Sequence, residues 1–84
     1  MSRHDVYRTA RWQRVRREVL DRDGWRCQLC GEPIEVDARP RSARSASVDH
    51  VVPVLDGGDW YEPSNLRAAH LVCNSVRANK GRAV

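Results

Sequence analysis

Phenylalanine is absent from this chain, and methionine and lysine each occur once. The first two gaps leave Trp12, Trp25 and Trp60 to supply most of the bulk for a core. At 84 residues the chain makes one domain, near the size at which a hydrophobic core alone barely suffices. A disulfide, a metal or a partner is therefore expected to brace it. Disulfides fit poorly, because three cysteines cannot all pair. The polar opening Met1-Ser2-Arg3-His4-Asp5 also has nothing of an apolar signal segment. A reducing interior follows as the expected compartment, and there Cys-x-x-Cys reads as a metal site before a disulfide. Long apolar runs are missing too: none approaches the ~18 residues of a membrane-spanning helix.

The single lysine means that fourteen of the fifteen basic residues are arginine, set against eleven acidic ones for a net charge of +4. A planar guanidinium fork suits phosphate oxygens better than a lysine's point charge. A modest basic excess fits a nucleic-acid partner without demanding one. If three thiolates bound one Zn²⁺, the net charge would fall by one.

Residues 1–8 carry no period and are expected as a flexible arm, with His4 an ordinary surface histidine; residues 9–84 form the domain. Thr9 is placed to cap a helix whose apolar positions are Trp12, Val15, Val19 and Leu20. Asp23-Gly24 ends it, Gly24 taking the left-handed position after a helix. Its other face carries Arg11, Arg14, Arg16 and Arg17, either a solvated face or a phosphate-contacting stripe. Cys27-Gln28-Leu29-Cys30-Gly31 has the form of a zinc knuckle, with Gly31 taking the unusual backbone angles. A redox dithiol lacks its strand–helix context here. Ile34 and Val36 suggest a short strand. Asp37 to Ser47 reads as a mobile loop in which Arg39, Arg41 and Arg44 either touch DNA or keep the loop soluble. A strand over Ser47–Val52 stops at Pro53, and Asp56-Gly57-Gly58-Asp59 makes a turn. Trp60, Tyr61 and Pro63 pack the loop, Asn65–Ala68 returns as a strand, and a helix runs from about Leu71 to Asn79. No internal repeat and no second domain is visible.

Two chemistries emerge from the polar residues. Cys27, Cys30, His70 and Cys73 offer the nitrogen and sulfur ligands of a closed tetrahedral zinc site, and the set uses every cysteine in the chain. Asp49, His50, Asn65 and Asn74 are not needed for zinc. Their types suit metal-assisted phosphodiester cleavage: an imidazole to take a proton from water, and the Asp49 carboxylate and Asn74 amide as oxygen ligands for Mg²⁺ or Mn²⁺. Two geometric constraints follow. Neighbours on a flat strand point to opposite faces, so Asp49 and His50 share a cavity only if the strand bulges or ends there. A helix beginning before His70 would crowd both metals onto one face, so His70-x-x-Cys73 is expected as a knuckle-like turn with Asn74 in the first helical turn.

At these residues the chain resembles the HNH endonucleases, whose core is a ββα-metal (His-Me finger) unit. The resemblance covers roughly Tyr7 to Lys80. It rests on the Trp12 helix, Asp23-Gly24-Trp25-Arg26-Cys27, Val48-Asp49-His50-Val51-Val52-Pro53, Gly57-Gly58, Pro63-Ser64-Asn65-Leu66 and Cys73-Asn74. It implies a small α+β, zinc-stabilised ββα-metal domain with an N-terminal helix. It also implies that His50 is the general base, that Asp49 and Asn74 hold the catalytic metal, and that Asn65 braces the loop that aims the histidine. Asn74 makes this an HNN variant, and His70 stands where many members have a cysteine. A basic residue after the last motif position is expected to meet phosphate or stabilise the transition state, with Arg77 favoured over Lys80. The implied activity is nicking or double-strand cleavage of duplex DNA, in the cytoplasm of a bacterium or phage-infected cell. The competing reading is a non-catalytic DNA-binding zinc module, or an accessory to a larger nuclease or DNA-packaging complex. Such a module would keep the zinc ligands and arginines but have no use for Asp49, His50 and Asn74. A generic zinc-ribbon interaction domain is a more distant third.

Overall fold

The computed structural model describes residues 9–82, and of residues 78–82 the backbone alone. The expected arm 1–8, with His4, and the side chain of Lys80 lie outside the described residues.

Helix α1 spans Ala10–Arg22. Thr9 is extended and its hydroxyl accepts the Trp12 amide at 3.2 Å, satisfying one of the donors a helix start leaves open. Trp12, Val19 and Leu20 are buried, and Val15 packs beside them. Of the three tryptophans, only Trp12 is buried; Trp25 and Trp60 pack against the core from its edge. Past α1 the chain turns through Gly24 at φ +65 and enters the knuckle, where the Gly31 amide donates to the Cys27 carbonyl at 2.8 Å. The expected Ile34–Val36 strand shrinks to one bridge between Arg26 and Pro33. Ile34 is buried but Val36 is 70% exposed, because the Ala38 amide donates back to the Glu35 carbonyl and turns the chain outward.

The following segment is a series of hydrogen-bonded turns rather than regular structure. Its far end is pinned: the Ser45 and Ala43 carbonyls accept the Leu71 and Val72 amides at 2.9 and 3.0 Å. These are among the orphan amides at the start of helix α2, Leu71–Arg82, so the loop caps that helix.

Strands β1, Ala46–His50, and β2, Leu66–His70, pair antiparallel from Ala46↔His70 to His50↔Leu66. β1 stops two residues before the expected Val52. The Val51 amide still reaches the Asn65 carbonyl, but the Val52 amide goes to the Asn65 side chain instead. β2 runs two residues beyond the expected Ala68, and α2 starts directly after it. His70-x-x-Cys73 therefore spans a strand–helix junction rather than a separate turn.

Side chains alternate along β1. Val48 and His50 face α1, whereas Ser47 and Asp49 face α2. The outer edge of β2 is covered, as a short hairpin requires: the Asp23 carboxylate accepts the Ala68 amide at 2.9 Å, and the Gln28 amide donates to the Ala68 carbonyl at 2.9 Å. Arg22 holds Asp23 through two bonds and also donates to the Pro63 and Leu66 carbonyls. Burial pushes the Asp23 carboxyl up, but Arg22 and the Ala68 amide outweigh it and hold the group below the usual carboxylate range. Among the described residues no helix is long and apolar enough to cross a membrane.

Candidate active site

The knuckle and the strand–helix junction meet at Cys27, Cys30, His70 and Cys73, whose ligand atoms all lie within 4.8 Å of one another. No two of the sulfurs are bonded; all three cysteines are free. His70 Nδ1 stands 3.4 Å from Cys30 Sγ and 3.9 Å from Cys73 Sγ. Tetrahedral zinc, with Zn–S about 2.3 Å and Zn–N about 2.0 Å, requires an S···N edge of roughly 3.5 Å, so the spacing fits. His70 is fully buried and its Nε2 donates to the Pro33 carbonyl at 3.0 Å. A carbonyl only accepts, so that contact places the ring proton on Nε2 and leaves Nδ1 bare to ligate. Cys27 Sγ accepts the Cys30 and His70 amides, each at 3.4 Å.

The thiols titrate apart. Burial pushes Cys27 up, but the His70, Cys30 and Leu29 amides outweigh it and bring the thiol down to about 6. Burial and the two neighbouring sulfurs push Cys73 up to about 11. Three sulfurs this close carry full charge together only around a shared cation. The donor set, spacing and oriented histidine are those of a structural zinc site.

The second constellation gathers at the end of β1. His50 stacks on Trp12 with ring centroids 5.7 Å apart and tilts against Trp60 at 5.4 Å. Its Nε2 donates to the Trp60 carbonyl at 3.1 Å. As with His70, a carbonyl partner fixes the tautomer, and Nδ1 is left as the bare nitrogen. The loop that presents Trp60 is tied to β1 by Asn65. Its Oδ1 accepts the Val52 amide at 2.8 Å, while Nδ2 donates to the Val52 and Asp59 carbonyls at 3.1 and 2.9 Å. Gly58 lies under this brace: a Cβ there would collide with the Val52 carbonyl oxygen and sit 2.9 Å from Asn65 Nδ2.

Asp49 occupies the opposite face, and no bulge brings it round to His50. Its carboxylate, 3% exposed, accepts Arg67 Nε on Oδ2 at 2.8 Å and Arg77 Nη1 on Oδ1 at 2.9 Å. Arg77 also donates to the His50 and Val51 carbonyls at 3.3 and 2.8 Å, so its guanidinium is engaged with the end of β1 rather than extended. Asn74 lies one helical turn before Arg77. Its Nδ2 donates to Ser47 Oγ at 3.0 Å and to the Val48 carbonyl at 3.4 Å, which turns the amide oxygen the other way. Asp49 and Asn74 thus share the face between β1 and α2, apart from the zinc cluster. Although His70 and Asn74 are four apart in sequence, they address different groups.

The expected arginine stripe divides. Arg16 donates to the Ala46 carbonyl at 3.2 Å. Arg11 lies 3.8 Å over the Tyr61 ring, Arg17 pairs with Asp21 at 3.5 Å, and Arg14 is exposed. Arg67, Ser47, Trp12 and the Trp60 and Pro33 carbonyls were not legible as site elements. A hairpin register drawn from His50 opposite Leu66 would have exposed the Asp49–Arg67 pair; the carbonyls leave no sequence signal.

A helix, a β-hairpin and a second helix around a Cys3His cluster that suggests a zinc site define a small ββα domain of α+β class. The family model for HNH endonucleases matches residues 27–80, and the chain belongs to that family. Membership implies a phosphodiester hydrolase whose substrate is a nucleic acid. No curated protein and no solved structure gives a significant match.

Proposed function

We propose that this domain is a DNA endonuclease that hydrolyses one phosphodiester bond per turnover, with His50 as general base and one divalent cation. The observation that supports this most strongly is the His50 tautomer: the Trp60 carbonyl holds Nε2–H and leaves Nδ1 free to take a proton from water. Water then attacks phosphorus, its proton passes to Nδ1, and the P–O3′ bond breaks. Asn65 is the residue that holds the loop, and through it the Trp60 carbonyl, against His50. Asp49 and the Asn74 amide oxygen are hard oxygen donors that would hold Mg²⁺ or Mn²⁺. Once bound, such a cation neutralises charge on the phosphate and the departing oxygen. Arg11, Arg14 and Arg17, with Lys80, are the cations we assign to the backbone of duplex DNA; Arg16 holds Ala46 instead.

Asp49 already has two guanidinium partners, which favours one rival: a DNA-binding zinc module, or the accessory of a larger nuclease or packaging complex. Supercoiled plasmid incubated with zinc-loaded protein separates the two. Relaxed or linear product that appears with added Mg²⁺ or Mn²⁺ and not with zinc alone is expected. Plasmid that is shifted on a gel but never cut would establish the rival.

A further inference from the structure

The Asp49 carboxylate presents a difficulty. A metal ligand should offer lone pairs to a cation, yet this group is almost wholly buried and held from two sides. Two arginines on one aspartate leave a local charge of +1, which repels a further cation. The two guanidiniums are not equivalent. Arg67 lies directly opposite Asp49 in the hairpin register, on a strand, and donates through Nε, close to the backbone. Arg77 reaches across from α2 and donates through its terminal nitrogens, one to Asp49 and the His50 carbonyl, the other to the Val51 carbonyl. It is also the more exposed partner, at 36% against 29% for Arg67.

We propose that Arg67 is a positioning residue that keeps Asp49 aimed, whereas Arg77 trades Asp49 Oδ1 for a substrate phosphate, so that the carboxylate opens to the cation only when a phosphodiester is in place. This rests on the reading of Asp49 as a ligand of the catalytic metal. The physical basis is competition for one guanidinium: Asp49 takes only one terminal nitrogen of Arg77, whereas a phosphodiester, with the same single charge, offers two oxygens to both, and each partner Asp49 loses raises its affinity for another cation. The two terminal nitrogens that now bind protein oxygens are those a phosphate would take. Metal and DNA then bind with positive coupling, and coupling of this kind is reciprocal.

The test is Mn²⁺ affinity, read by electron paramagnetic resonance on zinc-loaded protein, with and without a short phosphorothioate duplex. Four proteins are compared: wild type, Arg77→Gln, Arg67→Gln and Asp49→Asn. Wild type is expected to bind Mn²⁺ weakly alone and roughly tenfold more tightly with duplex, within the usual span of such couplings. Arg77→Gln should bind Mn²⁺ about tenfold more tightly without duplex and lose most of the further gain. Arg67→Gln should retain the duplex-dependent gain. Equal behaviour of the two arginine variants, or an Arg77→Gln protein no better at binding Mn²⁺ alone than wild type, overturns the exchange. Should Asp49→Asn bind Mn²⁺ like wild type, the metal-ligand reading itself falls, separately from the exchange. Bound zinc and a melting curve confirm that each variant is folded, and Arg77→Lys replaces Arg77→Gln if the latter does not fold.

Discussion

Individual residues in this domain are fixed less by their own neighbours in sequence than by carbonyl groups brought to them. His50 and His70 are both buried or half-buried rings whose Nε2 meets a backbone carbonyl, Trp60 for one and Pro33 for the other. Each is thereby given a bare Nδ1. The same device serves two ends, because one Nδ1 faces three sulfurs and the other faces none. Gly58 shows how tightly the loop carrying Trp60 is drawn in. Gly58→Ala forces a methyl against the Val52 carbonyl, and overpacking of this sort costs about 1–3 kcal/mol. The melting temperature should fall by roughly 10 °C, at 4–8 °C per kcal/mol for a domain of this size. Because the displaced Val52 segment is the one that Asn65 braces, nicking should fall further than the folded fraction does. A Gly58→Ala protein with unchanged melting and activity would show that the loop yields freely and does not aim His50.

At the scale of elements, the hairpin is a two-stranded sheet that cannot stand alone, and the two helices hold it at three places. α1 covers one face through Trp12 and Val19, α2 covers the other through Asn74 and Arg77, and the α1 C-terminus closes the outer edge of β2 through Arg22 and Asp23. Asp23→Ala removes a charged acceptor from the Ala68 amide and leaves Arg22 without its carboxylate; a charge-assisted bond of this type is worth about 1.5–3 kcal/mol. Amide hydrogen exchange at Ala68 should accelerate with the loss of stability, while the Val51 amide, which donates across the hairpin to the Asn65 carbonyl, is affected less. Equal acceleration at both would mean that Asp23 acts on the whole domain rather than on the edge. Much of this arrangement was legible from sequence. The Thr9 cap, the Trp12–Val19 stripe and the two halves of the zinc cluster are carried by residue type and spacing alone. Strand ends were not, because β1 stops where the Asn65 side chain, thirteen residues on, takes over from the ladder. The Arg67–Asp49 pair also stayed hidden: it depends on register, which the few polar residues on these two strands do not declare.

For the molecule as a whole, the Cys3His cluster joins the knuckle after α1 to the junction of β2 and α2, and the proposed reaction centre lies at the other end of β1, between that strand and the two helices. A core whose largest fully buried side chains are Leu20, Leu66, His70, Val19 and Cys27 is small, and two of those five belong to the zinc cluster. Bracing and chemistry are therefore expected to separate by mutation. The measurement that tests this account most directly is plasmid cleavage by His50→Ala beside Cys73→Ala, each with its melting curve and bound zinc. His50→Ala should keep its zinc and its cooperative melt yet lose cleavage by at least about a hundredfold, the usual lower bound for removing a general base. Cys73→Ala should lose zinc, cooperative melting and cleavage together. A His50→Ala protein that binds zinc, melts like wild type and cuts DNA as fast would contradict the central claim.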